Sequence, residues 1–290
     1  MKNLDIKRLW LTAKWDITAN WKSSAKITAG MSLGLTLMYT LHLLNMLNVT
    51  PSHDYILNQY RSMMMETNMS FVIFMIVGAS LIFVNMKTRQ QRIAFCMLPA
   101  SNAEKYLVRW LWATVGFALM FVCAAVAADV LRMVIWWMAG YGYTGSVVAT
   151  GVESASEFIN NLNVELGDTY TDDPAHPEHG QVAYAILTYV ISLGVLAHSF
   201  YIFGGALFRR NAWLLTTVTS IVVLIVMTYT GNFPFVGLDV LGDELYSSRQ
   251  KITAAYVTAG IFAVLSIVLY AISWRLFRRM QVINNKVINI

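Results

Sequence analysis

Apolar residues along this chain come in long runs separated by short polar and charged stretches. Six runs carry almost no charge: Ile27–Leu47, Met69–Met86, Leu107–Ala139, Val182–Phe208, Ala212–Tyr229 and Thr253–Trp274. Runs of about 18 residues or more are long enough to cross a hydrocarbon core as helices. Backbone groups in lipid must be paired within their own segment, which selects helices over open strands. The ten-residue alternation of a membrane β-barrel is not seen in the sequence. The pattern therefore predicts an all-α fold: a polytopic membrane helical bundle, one transmembrane domain over residues 1–290 with six transmembrane helices. The third run has 33 residues, about 50 Å of helix against a core of about 30 Å. Its outer end (Val134, Ile135, Trp136, Trp137) is expected to leave the core or bend along the interface, a depth tryptophan favours. Residues 1–26 are too polar to span. Trp10, Ile17 and Trp21 fall at helical spacing, as do Leu11 and Trp15, with lysines between. An amphipathic N-terminal interfacial helix on the inner leaflet is expected there. A disordered basic arm is the other reading.

Composition agrees with this picture: 57% of residues are apolar and 13% charged, where a soluble domain carries about 25% charged residues. The net charge of +5 would by itself allow a nucleic-acid partner, but its distribution argues against one. Basic residues gather in the arm (Lys2, Lys7, Arg8, Lys14, Lys22, Lys26), between the second and third runs (Lys87, Arg89, Arg92, Lys105, Arg109), after the fourth (Arg209, Arg210) and in the tail (Arg275, Arg278, Arg279, Lys286). Arg61, Arg132, Arg249 and Lys251 are left for the other side. The positive-inside bias then places both termini in the cytoplasm of a multi-pass plasma-membrane protein. The extracytoplasmic loop 141–181 is acidic, with Glu153, Glu157, Glu165, Asp168, Asp172, Asp173 and Glu178 and no Lys or Arg. A short helix is expected over Val152–Val164, and the last outer loop, Gly231–Ser248, is apolar enough to pack on helix ends. No cleavable signal peptide is expected. Cys96 and Cys123 make no disulfide framework and no zinc spacing.

The segment between the second and third runs, residues 87–106, is the most informative. A basic entry is followed by a short apolar helix-like run, then by Leu98-Pro99-Ala100-Ser101 and Asn102-Ala103-Glu104-Lys105. Pro99 should end any preceding helix. Ser101 is placed as an N-cap with Glu104 as its capping-box partner. The expectation is a short helix along the inner surface, a sharp break, and a capped long helix. This arrangement resembles the permease subunits of ABC-2 type ATP-binding-cassette transporters. In that family a leucine-proline-x-serine stretch, an acidic residue and a basic residue precede span three; Leu98, Pro99, Ser101, Glu104 and Arg109 match. The family's glycine-threonine-leucine-glutamate stretch is replaced here by Arg92-Ile93-Ala94-Phe95. The resemblance implies six spans, a cytoplasmic ATPase subunit as partner, a homodimer or paired permease, and export. It also implies that this loop is the coupling loop. Arg89 and Arg92 can then pair with acidic groups on the ATPase, and Glu104 acts as a cap. The plain alternative is a basic loop whose Pro99 and Ser101 merely start span three.

No ATP-binding motif lies in the chain, since none of its 17 glycines precedes a lysine, as a P-loop requires. Any ATPase activity is expected in another subunit, the chain itself being no enzyme and needing no cofactor. His198, about 15 Å into span four, is a candidate for an intramembrane polar pathway or a neutral, hydrogen-bonded histidine. Asp129 and Arg132, three apart, suit a structural ion pair near the outer interface; His42 is assigned no role. Asp172, Asp173, His176, Glu178 and His179 have ligand-type side chains, but a solvated loop explains them better than a metal. Gly30-x-x-x-Gly34 permits close helix packing or is chance spacing. Thr216, Thr217, Thr219 and Ser220 either line a polar path or bond back to their own helix. Outside transport, the competing reading is a membrane sensor, assembly factor or anchor whose outer loop binds a partner.

Overall fold

The computed structural model describes residues 5–46, 52–86, 88–140, 145–154, 156, 179–208, 211–229 and 248–279. These form nine α-helical segments: α1 (Ile6–Met46), α2 (His53–Ala79), α3 (Arg89–Cys96), α4 (Asn102–Leu111), α5 (Phe117–Met138), α6 (residues 147–154), α7 (His179–Leu207), α8 (Ala212–Tyr229) and α9 (Ser248–Arg279). No strand is among the described residues, so the all-α expectation holds. Four helical stretches are long and apolar enough to cross a membrane: Asp54–Met86, Asn102–Met138, Tyr184–Leu207 and Arg249–Arg279. Ala212–Val226 is apolar but shorter. The basic turn Arg209–Arg210, the loop over 157–178 and the last outer loop over 230–247 lie outside the described residues.

Helix ends differ from the sequence expectation most at the starts of α1 and α2; α6 also starts five residues early, and α9 runs five residues further at each end. First, the arm and the first apolar run are one uninterrupted helix of 41 residues, about 60 Å long, because no proline stands between Ile6 and Met46 and Ser23-Ser24-Ala25-Lys26 is helix-permissive. Second, α2 starts sixteen residues before the expected span. Ser52 caps it, with its hydroxyl 3.3 Å from the Tyr55 N–H and Asp54 in the first turn, where a carboxylate meets the helix dipole favourably. Along the third run the helix continues from Asn102 to Met138, Val134–Trp137 included. It contains a π-helical turn at Trp112–Gly116, and it ends with Trp136 buried and Trp137 exposed.

The chain contacts divide it into two compact units. One comprises Ala13–Met75 and Thr114–Leu162. In it α1 and α2 run antiparallel, with Tyr39 Oη 2.8 Å from Thr67 Oγ1 and His42 bonded to both Gln59 and Glu66. α2 and α5 are also antiparallel, pairing Phe71 and Phe74 with Phe121 and Tyr60 with Arg132. The Asp129–Arg132 pair is fully enclosed, 2.8 Å apart, with side chains 4% and 0% exposed. Arg132 lies over the rings of both Tyr60 and Trp136, which also meet each other, and donates to the Gly145 carbonyl. Asp129 accepts from the Ser146 hydroxyl and the Val148 N–H at the start of α6. The expected structural ion pair thus anchors α6.

The other unit comprises Met1–Thr12, Ile76–Ala113 and Asn163–Ile290. There α4 and α9 are antiparallel, since Tyr106 meets Ser273 while Trp110 meets Tyr270. α7 runs with α9, since Tyr189 meets Phe262 and His198 meets Tyr270. α8 returns against α7, pairing Thr217 with Tyr201. Thr216, Thr217, Thr219 and Ser220 all bond back to carbonyls of their own helix. Two adjacent glycines set the closest approaches. A Cβ on Gly204 would fall inside the Thr216 side chain, and one on Gly205 would stand 2.5 Å from the Ser80 carbonyl oxygen. Gly30 and Gly34, by contrast, have nothing within 4 Å.

Gly205→Ala should therefore lower the thermal midpoint in detergent, since overpacking against a fixed backbone costs about 1–3 kcal/mol. Gly30→Ala and Gly34→Ala should leave it unchanged or slightly raised. Equal midpoints for the parent and Gly205→Ala would overturn the close contact with Ser80.

Candidate functional site

The segment from the end of α2 to α4 is built as an elbow. α2 stops at Ala79, where Ser80 turns its N–H and hydroxyl back to the Val77 carbonyl. A turn and a 3-10 segment, Val84–Met86, follow. Thr88 then caps α3 through a complete capping box with Gln91. Met97 ends α3, a turn runs through Leu98, Pro99 and Ala100, and Ser101 caps α4 through a second complete box with Glu104. The break at Pro99 and the Ser101–Glu104 cap are where the sequence puts them.

α3 has only eight residues, too few to be stable alone in water. It is held by packing and by a clamp. Arg92 and Phe95, three apart on one face, are buried. Lys105, itself 5% exposed, donates from Nζ to the Cys96 carbonyl at 2.7 Å, satisfying an end carbonyl of α3 from within α4. Arg109 is 0% exposed. It donates from Nε to the Ile82 carbonyl at 2.6 Å and stacks over Trp112 at 4.5 Å. It therefore ties α4 back to the turn that ends α2.

Glu104 does more than cap α4. Its carboxylate is fully buried. Oε2 accepts the Ser101 N–H at 2.7 Å, and Oε1 accepts the N–H of Asp5 at 3.0 Å. Asp5 is the residue before α1, and its own Oδ1 accepts the Lys7 N–H at 2.9 Å. One carboxylate thus sits at the N-termini of two helices, where both dipoles favour negative charge. Arg8, 3.3 Å from Oε1, completes the arrangement. Sequence reasoning missed this link between the arm and the loop. The only available signal was an Asp followed three residues later by an Arg at a helix start.

Of the residues singled out for the loop, the structure brings Ser101, Glu104 and Arg109 into one framework. Arg89 is exposed, Pro99 is exposed and Leu98 half-buried. Arg92 and Arg109 are turned inward. The outward face of α3 carries Arg89, Gln90, Ile93 and Met97, the last 78% exposed. His198, the other candidate, lies on α7 with Nδ1 2.9 Å from the Tyr270 hydroxyl. The Tyr270 ring meets Trp110 edge-on, so the histidine is bonded to a neighbouring helix. Of the acidic cluster in the outer loop, Asp172, Asp173, His176 and Glu178 lie outside the described residues, and so does the side chain of His179. Compared with known proteins, the chain matches no family model, no curated protein and no solved structure.

Replacing Glu104 with Ala removes the acceptor of the Asp5 and Ser101 N–H groups and the partner of Arg8; these donors are part-exposed, so the cost should fall toward the lower end of about 1–3 kcal/mol per unsatisfied group. Ser101→Ala should cost less, about 1 kcal/mol. Amide exchange in residues 5–12 should accelerate in Glu104→Ala and not in Ser101→Ala. Equal acceleration in both variants would show that Glu104 serves α4 alone.

Proposed function

We propose that the chain is the membrane permease subunit of a cassette-type transporter, an exporter of the ABC-2 type in the plasma membrane. A separate cytoplasmic ATPase drives it through the elbow Thr88–Arg109. The observation that carries this reading is the elbow itself: a short helix with an exposed mixed face, clamped to α4 at its C-terminal end and packed on the 3-10 segment that follows α2. Such an element transmits a push, because Lys105, Glu104 and Arg109 remove the freedom that an ordinary loop would keep. Arg89, Ile93 and Met97 are the contact residues in this reading. Pro99 and Ser101 set the angle, and Arg92 and Arg109 stiffen the joint from inside.

Membrane placement is supported by the rows of exposed apolar side chains, such as Leu33, Leu37, Leu41 and Leu44 on α1 and Val218, Ile221, Val222 and Ile225 on α8. A soluble surface rarely carries contiguous apolar patches of this extent. Within each unit successive long apolar helices, the shorter α8 included, alternate in direction. That supports six spans with both ends in the cytoplasm, as does the basic bias of the inner segments. A homodimer or paired permease completes the pathway in this reading, and His198–Tyr270 is the polar element within it.

Two measurements test the proposal. Cys96 on α3 is exposed and free. A membrane-impermeant maleimide should label it from the cytoplasmic side of sealed vesicles and not from the outside, and the reverse would overturn the orientation. A tagged chain purified gently from native membranes should bring down a cassette ATPase in near-equal amount. Arg89→Glu combined with Met97→Asp should abolish that association while the thermal midpoint holds. Absence of any ATPase, under conditions that preserve a known transporter complex, would overturn the permease reading.

A further inference from the structure

The outward face of α2 carries a groove of about 460 Å³, within the usual range for small-molecule sites. Arg61, Met65, Asn68, Met69 and Val72 form its floor. Their spacing of four, seven, eight and eleven residues from Arg61 puts them on one helical stripe. Met64 and, from α6, Ser154 also line the groove, and a Cβ on the neighbouring Gly151 would be in ordinary van der Waals contact with Met64, 3.5 Å from its Cγ. From Arg61 to Val72 the helix rises about 16 Å, roughly half of a 30 Å hydrocarbon core.

The chemistry of the groove is graded along its length. At one end Arg61 is exposed and pairs with no carboxylate among the described residues. The nearby Glu66 faces away, toward His42. Below Arg61 the stripe is apolar, with Met65, Met69 and Val72 each at least half exposed and the Asn68 amide as its polar interruption. Methionine is unbranched and polarisable, so it conforms to a mobile chain better than branched side chains do. A guanidinium fork matches the oxygens of a phosphate. In the orientation proposed above, α2 enters the membrane from outside. Arg61 then stands at the outer headgroup level and the methionines point along the acyl region.

We propose that this groove binds one acyl chain of an anionic phospholipid of the outer leaflet, with its phosphate held by Arg61. The inference rests on the proposed orientation of α2 and not on the ATPase. Native mass spectrometry of the purified chain, titrated with phosphatidylglycerol or phosphatidylcholine, tests it. Phosphatidylglycerol should bind more tightly. Arg61→Gln should weaken it about tenfold, the loss expected for one charge-assisted hydrogen bond. Met69→Trp, which fills the groove, should remove the tight site for both lipids. Three outcomes would overturn the proposal. One is equal binding of the two lipids. Another is full binding by both variants. The third is a change in oligomeric state, rather than in bound lipid, on Met69→Trp, which would make the face a protein contact. Because binding is read on the chain alone, failure to capture an ATPase leaves this result untouched.

Discussion

The carboxylate of Glu104 is the constraint on which the elbow and the start of α1 depend. A buried anion is costly unless every oxygen is bonded. Here the donors are two backbone N–H groups that would otherwise be orphaned at helix starts, together with the Arg8 guanidinium. The burial of the charge and the needs of the two helices satisfy one another. Separating α1 from α4 at this end would cost the Asp5 N–H and the Arg8 guanidinium the same carboxylate at once and exchange both bonds for water. This link ties the start of α1 to the loop.

The two fully enclosed arginines show two ways of carrying a cation among apolar helices. Arg132 is neutralised by Asp129 and flanked by two aromatic rings, and the same carboxylate goes on to cap α6. Arg109 donates to a carbonyl at a broken helix end and stacks on an indole. A carbonyl freed by a helix break is a strong acceptor with no intrahelical partner, so the guanidinium stabilises the break as much as the break solvates the guanidinium. The π turn at Trp112–Gly116 lies between these two sites on one continuous helix. On one side of it the buried positions are Glu104, Lys105, Val108 and Arg109; on the other they are Phe117, Phe121, Ala124, Ala128 and Arg132. The irregular turn falls where the chain passes from one compact unit to the other, between Ala113 and Thr114.

Elements governed by local rules were legible in the sequence. The apolar runs gave helices in the right places, and Ala212–Tyr229 was placed to the residue. The Pro99 break and the Ser101–Glu104 box follow from spacing alone. Helix starts in polar sequence were harder. Ser52-His53-Asp54 is a start signal, yet hydropathy gives no reason to place a helix in the following Asn58-Gln59-Tyr60-Arg61. The continuity of α1 was hidden for the same reason, because a change in hydropathy looks like a boundary even where the backbone has none. What the candidate site adds beyond its caps was illegible. Asp5 and Glu104 are 99 positions apart, and nothing local marks an arginine such as Arg92 as turned inward rather than outward.

The shortness of α3 is itself informative about what the elbow can do. Eight residues cannot hold a helix by propensity, and Thr88, Gln91, Lys105 and the buried pair Arg92 and Phe95 supply the difference. Those supports come from the capping box, from α4 and from the turn after α2, so α3 is stable only while its neighbours keep their places. A partner gripping Arg89, Ile93 and Met97 would therefore load both long helices rather than flex a free loop. An ordinary basic connector has no need of this arrangement. Two consecutive capping boxes, a lysine clamp across a proline break and a carboxylate shared between helices all restrict one short segment. Their common effect is to make its position depend on the helices it joins, and theirs on it.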